Sequence, residues 1–71
     1  MDVRDFDAVY KIMEKSFPGD EYRTYDEQKE LLNTQNYRIY VCRQNSLIVA
    51  FAAVWEFHRF LFVEHLAVEP V

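Results

Sequence analysis

The end of the chain, Phe60-Leu-Phe-Val-Glu-His-Leu-Ala-Val-Glu-Pro-Val71, limits what it can fold into more than any other stretch. It reads as a β-strand that stops at Pro70, because apolar residues run through it at both parities. Phe62, Leu66 and Val68 fall on one face, and Leu61, Val63 and Ala67 on the other. A strand apolar on both faces is expected to be buried on both, in a sheet covered from two sides. Glu64 and His65 interrupt the run in mid-strand. A carboxylate and an imidazole there must be paired, solvated in a cleft, or used chemically.

The rest of the chain supplies two helices and two more strands. Asp5 is positioned to cap a helix from about Phe6 to Phe17, with Phe6, Val9, Tyr10, Met13 and Phe17 forming an apolar stripe. Pro18 and Gly19, the only glycine, end it. Thr24-Tyr-Asp-Glu27 fits a capping box for a second helix running to about Asn33, with Tyr25, Gln28, Leu31 and Leu32 facing inward. Tyr37 to Arg43 alternates as a half-buried strand does. Gln44-Asn45-Ser46 is a turn, and Leu47 to Phe57 a long second strand. His58-Arg59 is poor chemistry for a two-residue turn, so the last hairpin has the least defined boundary. The order α-α-β-β-β with short connections predicts an α+β fold, two helices followed by a three-stranded antiparallel meander.

Composition excludes several classes. With 71 residues the chain is one domain at most, and 51% apolar and 17% aromatic residues are rich for that size. A net charge of −4 argues against nucleic acid as a partner, since phosphate binding needs clustered Lys and Arg. Cys42 is alone, which removes a disulfide framework or a cysteine metal site, and His58 and His65 have no recognised metal spacing. No charged-then-apolar leader opens the chain. The longest apolar run, Leu47 to Trp55, is too short to span a bilayer, so neither a membrane nor a metal is expected.

Glu64-His-Leu-Ala-Val-Glu-Pro70 resembles the fourth strand of the GNAT family of N-acetyltransferases. The preceding order is similar too. Ser16-Phe17-Pro18 ends a helix, Asp20-Glu21-Tyr22-Arg23 follows, and Tyr25-Asp26-Glu27-Gln28 opens the next helix. Ile48 to Trp55 then forms the second member of a strand pair. The resemblance covers nearly all 71 residues. It departs from the family at two points: only Met1-Asp2-Val3 stands where a first strand is usual, and the Arg/Gln-x-x-Gly-x-Gly/Ala loop that holds the acetyl-CoA pyrophosphate does not occur. The resemblance therefore implies that residues 1–71 are a partial GNAT domain, its N-terminal half, with a native protein that continues and a 71-residue chain inactive by itself.

What the resemblance implies for function is transfer of an acetyl group from acetyl-CoA, a co-substrate, to an unidentified amine, in the cytoplasm. The alternative is a non-catalytic binding or dimerisation module derived from that fold. Glu64 is the candidate catalytic base, its apolar context being one that raises a carboxyl pKa; the competing reading has it pair with an arginine such as Arg38 or Arg59, or cap a neighbouring loop. Leu66, Ala67 and Val68 would bind the pantetheine arm of acetyl-CoA through backbone groups, or serve only as core strand. Phe17, Glu21, Arg23 and Trp55 are candidates for the acceptor site, and Phe57, Phe60 and Phe62 for its groove. His65 points away from Glu64 by strand alternation, unless a bulge intervenes, and reads as structural. An apolar last strand without a partner predicts a homo-oligomer through that strand.

Overall fold

The computed structural model describes residues 1–69. Pro70, the expected stop of the last strand, lies outside them. Helix α1 spans Phe6–Ser16 and α2 spans Tyr25–Glu30. Three strands follow, β1 Tyr37–Gln44, β2 Leu47–Glu56 and β3 Leu61–Val68, in one antiparallel sheet of order β1-β2-β3. The expected two helices and three-stranded meander are present. No helix among the described residues is long and apolar enough to cross a membrane.

The ends of the helices follow local chemistry. Asp2, not Asp5, is the side-chain cap: its carboxylate accepts the Arg4 amide (2.8 Å) at a 3₁₀ turn over Val3–Asp5 that leads into α1. Asp5 makes no capping hydrogen bond and instead pairs with Arg43 of β1. The capping box at α2 forms as its spacing predicts. The Glu27 amide donates to the Thr24 hydroxyl (3.2 Å), and the Thr24 amide to the Glu27 carboxylate (3.1 Å). The last turn, Leu31–Asn33, tightens to 3₁₀ geometry.

One face of the sheet carries the core. Phe6, Val9, Tyr10, Ile12 and Met13 of α1 pack on Tyr37, Ile39, Phe51, Ala53 and Ala67. Ile12 belongs to this stripe, while Phe17 is only partly buried and lies beyond the helix as its cap. Burying about half a dozen large side chains at roughly 1.5–3 kcal/mol each is what holds the helix on the sheet.

The opposite face corrects a sequence expectation. Leu61, Phe62, Val63, Leu66 and Val68 are all exposed, Leu66 and Val68 by 65% and 68%; in β3 only His65 and Ala67 are buried. The strand is therefore not buried on both faces among the described residues. Its parity also differs from simple alternation. Ala53 pairs with His65 but Val54 pairs with Val63, so Glu64 is an extra residue in a β-bulge. Register partners share a face, which puts Leu61, Val63, Leu66 and Val68 on the open side. Phe62, His65 and Ala67 share the helix side with Trp55, Ala53 and Phe51. Alternation fails because one residue too many is threaded between two fixed pairs.

Candidate functional site

The bulge gathers the polar residues. Glu64 and His65, which simple alternation would separate, both turn to the helix side, with Glu64 Oε1 3.5 Å from His65 Nδ1. The Glu64 carboxylate accepts Arg23 Nη1–H (2.5 Å) and Nη2–H (3.0 Å), a two-pronged pair, and the Trp55 indole N–H (3.1 Å). Its partner is thus Arg23 of the α1–α2 connection, neither Arg38 nor Arg59.

The connection that delivers Arg23 is pinned at several points. The Phe17 amide closes α1 onto the Met13 carbonyl (3.1 Å), and the Glu21 amide bonds the Pro18 carbonyl (2.9 Å) across the Pro18-Gly19 turn. The Tyr10 hydroxyl then donates to the Arg23 carbonyl (2.7 Å), one residue before the capping box of α2. Behind Arg23, Gln28 is wholly buried and donates to the Tyr37 hydroxyl (2.6 Å). Tyr37 stacks edge-on against Trp55, with centroids 4.9 Å apart. Neither Gln28 nor Tyr37 announces this role in the sequence, since an inward glutamine on a short helix looks like any polar helix residue.

The electrostatics run opposite to the expectation from apolar surroundings. Arg23 beside Glu64 lowers its carboxyl pKa below the ordinary value of 4.5; burial opposes the shift, and the Trp55 hydrogen bond reinforces it. Glu64 is therefore a fixed anion at neutral pH. His65 donates from Nε2 to the Glu21 carbonyl (2.9 Å), since a carbonyl can only accept. Its ring meets Phe17 edge-on at 4.7 Å. The exposed side chain of Glu21 is separate from this contact; its backbone carbonyl is what touches the site.

Phe17, Glu21, Arg23, Trp55 and Glu64 thus meet around one bulge, four of them through side chains. Phe57 and Phe60 lie apart, stacked 4.8 Å from each other in the β2–β3 turn, where the Phe57 amide bonds the Phe60 carbonyl. A cleft of about 380 Å³ opens beside the site between the end of α1, Lys15 to Phe17, and Leu66, Ala67 and Val68. Lys15 pairs with Glu69 at its rim (2.9 Å).

The three strand residues are not equivalent. The Glu69 amide bonds the Val49 carbonyl (2.7 Å), continuing the register in which Ala67 faces Phe51 and His65 faces Ala53. In an antiparallel ladder alternate residues turn both backbone groups to one neighbour. Ala67 therefore spends its amide and carbonyl on β2, whereas Leu66 and Val68 turn theirs to the free edge of β3. Among the described residues no group of three or more His, Cys, Asp and Glu is arranged to hold a metal ion.

A search of solved structures finds one from Bacteroides thetaiotaomicron assigned as an acetyltransferase of the GNAT family. It matches with a TM-score of 0.84 at 28% sequence identity, over 96% of this chain and 39% of that one. The chain thus spans about two fifths of the length of that protein. No protein-family model and no curated protein matches the sequence. The helices and the meander accordingly have the fold of the N-terminal part of a GNAT acetyltransferase.

Proposed function

We propose that this chain forms the N-terminal portion of an N-acetyltransferase that moves an acetyl group from acetyl-CoA to an amine. The observation that carries the reading is the free edge of β3 running beside a half-buried carboxylate, in a fold matched over 96% of its length by an assigned acetyltransferase. Leu66 and Val68 offer outward amides and carbonyls to an extended amide-bearing arm such as pantetheine, as an edge strand offers them to an added strand. Ala67 contributes by shape, lining the cleft. The sequence holds no glycine-rich pyrophosphate loop, so these edge groups are the part of a cofactor site that this chain supplies.

The acceptor amine arrives protonated and must lose a proton before it attacks the thioester. Glu64, held as an anion, attracts the ammonium group and takes its proton. Arg23 occupies the same carboxylate, so the entering ammonium competes with the guanidinium for Glu64. Trp55 keeps the carboxylate oriented through its indole N–H, and Phe17 with the Glu21 backbone forms the opposite wall. A lone Cys42 without a disulfide partner suits the reducing cytoplasm as the compartment. Absent a longer chain or a cofactor, a second copy pairing along β3 is the assembly that fits its free edge, and acetyl-CoA would compete with it.

The test is release of CoA thiol with a panel of amines, on the native gene product and its Glu64→Gln variant. Transfer that falls roughly 10²–10⁴-fold at neutral pH, with acetyl-CoA affinity unchanged, supports the reading. Acetyl-CoA binding without turnover on any amine favours the non-catalytic module instead.

A further inference from the structure

One buried group of this site neither lines the cleft nor takes the ammonium proton directly. His65 is 9% exposed, and its Nδ1 is the one buried side-chain nitrogen or oxygen among the described residues without a hydrogen-bond partner. Because Nε2 must carry the proton given to the Glu21 carbonyl, neutral His65 presents a bare lone pair at Nδ1. That lone pair lies 3.5 Å from Glu64 Oε1, itself an acceptor. Two acceptors facing each other in a buried place repel, and the arrangement is satisfied only when a proton lies between them. The geometry thus waits for a proton that the neutral ring lacks.

We infer that His65 is the proton reservoir of the site, receiving at Nδ1 the proton that Glu64 takes from the acceptor ammonium. The inference rests on the acetyltransferase reading. In the first step an ammonium N–H bond breaks, its electron pair stays on nitrogen, and an O–H bond forms at Glu64. In the second that O–H bond breaks and the Nδ1 lone pair takes the proton. The result is a neutral amine, a restored carboxylate and an imidazolium whose new N–H points at that carboxylate. Attack of the amine on the acetyl thioester then passes its remaining surplus proton to the departing thiolate, and His65 returns its own to solvent through Glu64.

The charges around the ring favour this direction. Arg23 holds Glu64 in its charged form, so the carboxyl is a poor place for a proton to rest. From the connection, His65 meets the Glu21 carbonyl and, across Glu64, the Arg23 guanidinium; from the end of α1 it meets only the Phe17 ring. From β2, Ala53 is its register partner and the Trp55 indole shares Glu64, while Tyr37 of β1 lies behind Arg23 and joins it through Gln28. Among the described residues Glu64 is thus the one anion against Nδ1. His65 acts through Glu64 and is a positioning residue for the proton, distinct from a group that touches substrate.

Two measurements test it. Long-range ¹H–¹⁵N correlation on the unmodified chain should find neutral His65 protonated at Nε2, with the second proton arriving at Nδ1 on acidification and moving the Glu64 carboxyl resonance with it. A neutral ring protonated at Nδ1 overturns the inference. In the native gene product, His65→Gln keeps an N–H for the Glu21 carbonyl but has no basic lone pair. Transfer at pH 7 should drop by about 10²-fold with the acetyl-CoA KM unchanged, and the acid limb of the pH–rate profile should change shape. A variant that keeps the wild-type rate and acid limb makes His65 structural and leaves the acetyltransferase reading intact. A wild-type protein that transfers acetyl to no amine removes that reading, and the reservoir falls with it.

Discussion

Replacing Arg23 by Met removes the guanidinium and keeps most of the side-chain stem. Glu64 loses two charge-assisted hydrogen bonds and keeps one, from Trp55. The Arg23 side chain is 34% exposed and that of Glu64 19%, between the surface and buried cases. Exposed pairs contribute about 0–1 kcal/mol, and breaking a fully buried one costs about 3–5. We expect a loss of about 2 kcal/mol at pH 7, against a total of roughly 4–10 for a chain of this size. With a urea dependence of about 1 kcal/mol per molar, the midpoint falls by about 2 M, read from the emission of Trp55, the only tryptophan. The sign of the pH dependence follows from the lowered Glu64 pKa. Its stabilisation is fully present above the ordinary value of 4.5 and is lost as pH falls through the lower folded-state value. The wild-type and Arg23→Met curves should therefore converge on going from pH 6 to about 2, while carboxylates elsewhere, such as Asp2, titrate alike in both. A stability gap that stays constant over this range, or one below about 0.5 kcal/mol at pH 7, refutes the reasoning.

Tyr37→Phe deprives the wholly buried Gln28 amide of its acceptor and should cost about 1–3 kcal/mol in the same urea experiment. Hydrogen exchange on the chain diluted until it is monomeric should find the Ala67 amide protected and those of Leu66 and Val68 fast, because only Ala67 points to β2; equal protection at all three in the monomer contradicts the edge assignment. Acetyl-CoA titrated into the 71-residue chain should move the Leu66 and Val68 amide signals with a Kd weaker than micromolar, since no pyrophosphate loop is present; micromolar affinity by calorimetry argues otherwise. Sedimentation of the chain should reveal self-association that Val68→Lys reduces, as the open apolar face and free β3 edge attract a second copy; a monomer at high micromolar concentration rules that out.

Local chemistry was legible in the sequence wherever a few neighbouring residues decide the outcome. Thr24 and Glu27 cap α2 because both partners of the box lie within one turn. The stripe from Phe6 to Met13 faces the sheet because helical spacing requires it. Pro18 and Gly19 end α1 by backbone geometry, and β2 forms from its apolar and β-branched run. Phe17, Arg23, Trp55 and Glu64 were named through likeness of order and type, and the fold brings their side chains to one bulge. What the sequence left undecided depends on residues far apart along the chain. Arg23 finds Glu64 across 41 positions, and that contact turns a carboxyl expected to be raised by apolar neighbours into one lowered by a cation. The bulge at Glu64 arises from fitting β3 to β2 at two registers at once, so alternation within β3 alone assigned the wrong faces. Burial of β3 on a single side follows from where α1 and α2 pack, which no strand encodes by itself. The bare Nδ1 of His65 exists only because the Glu21 carbonyl, 44 residues earlier, claims the other ring nitrogen. Periodicity and capping are set by bonds a few residues apart, whereas pairing, register and the charge state of a buried group are set by whatever the folded chain brings alongside.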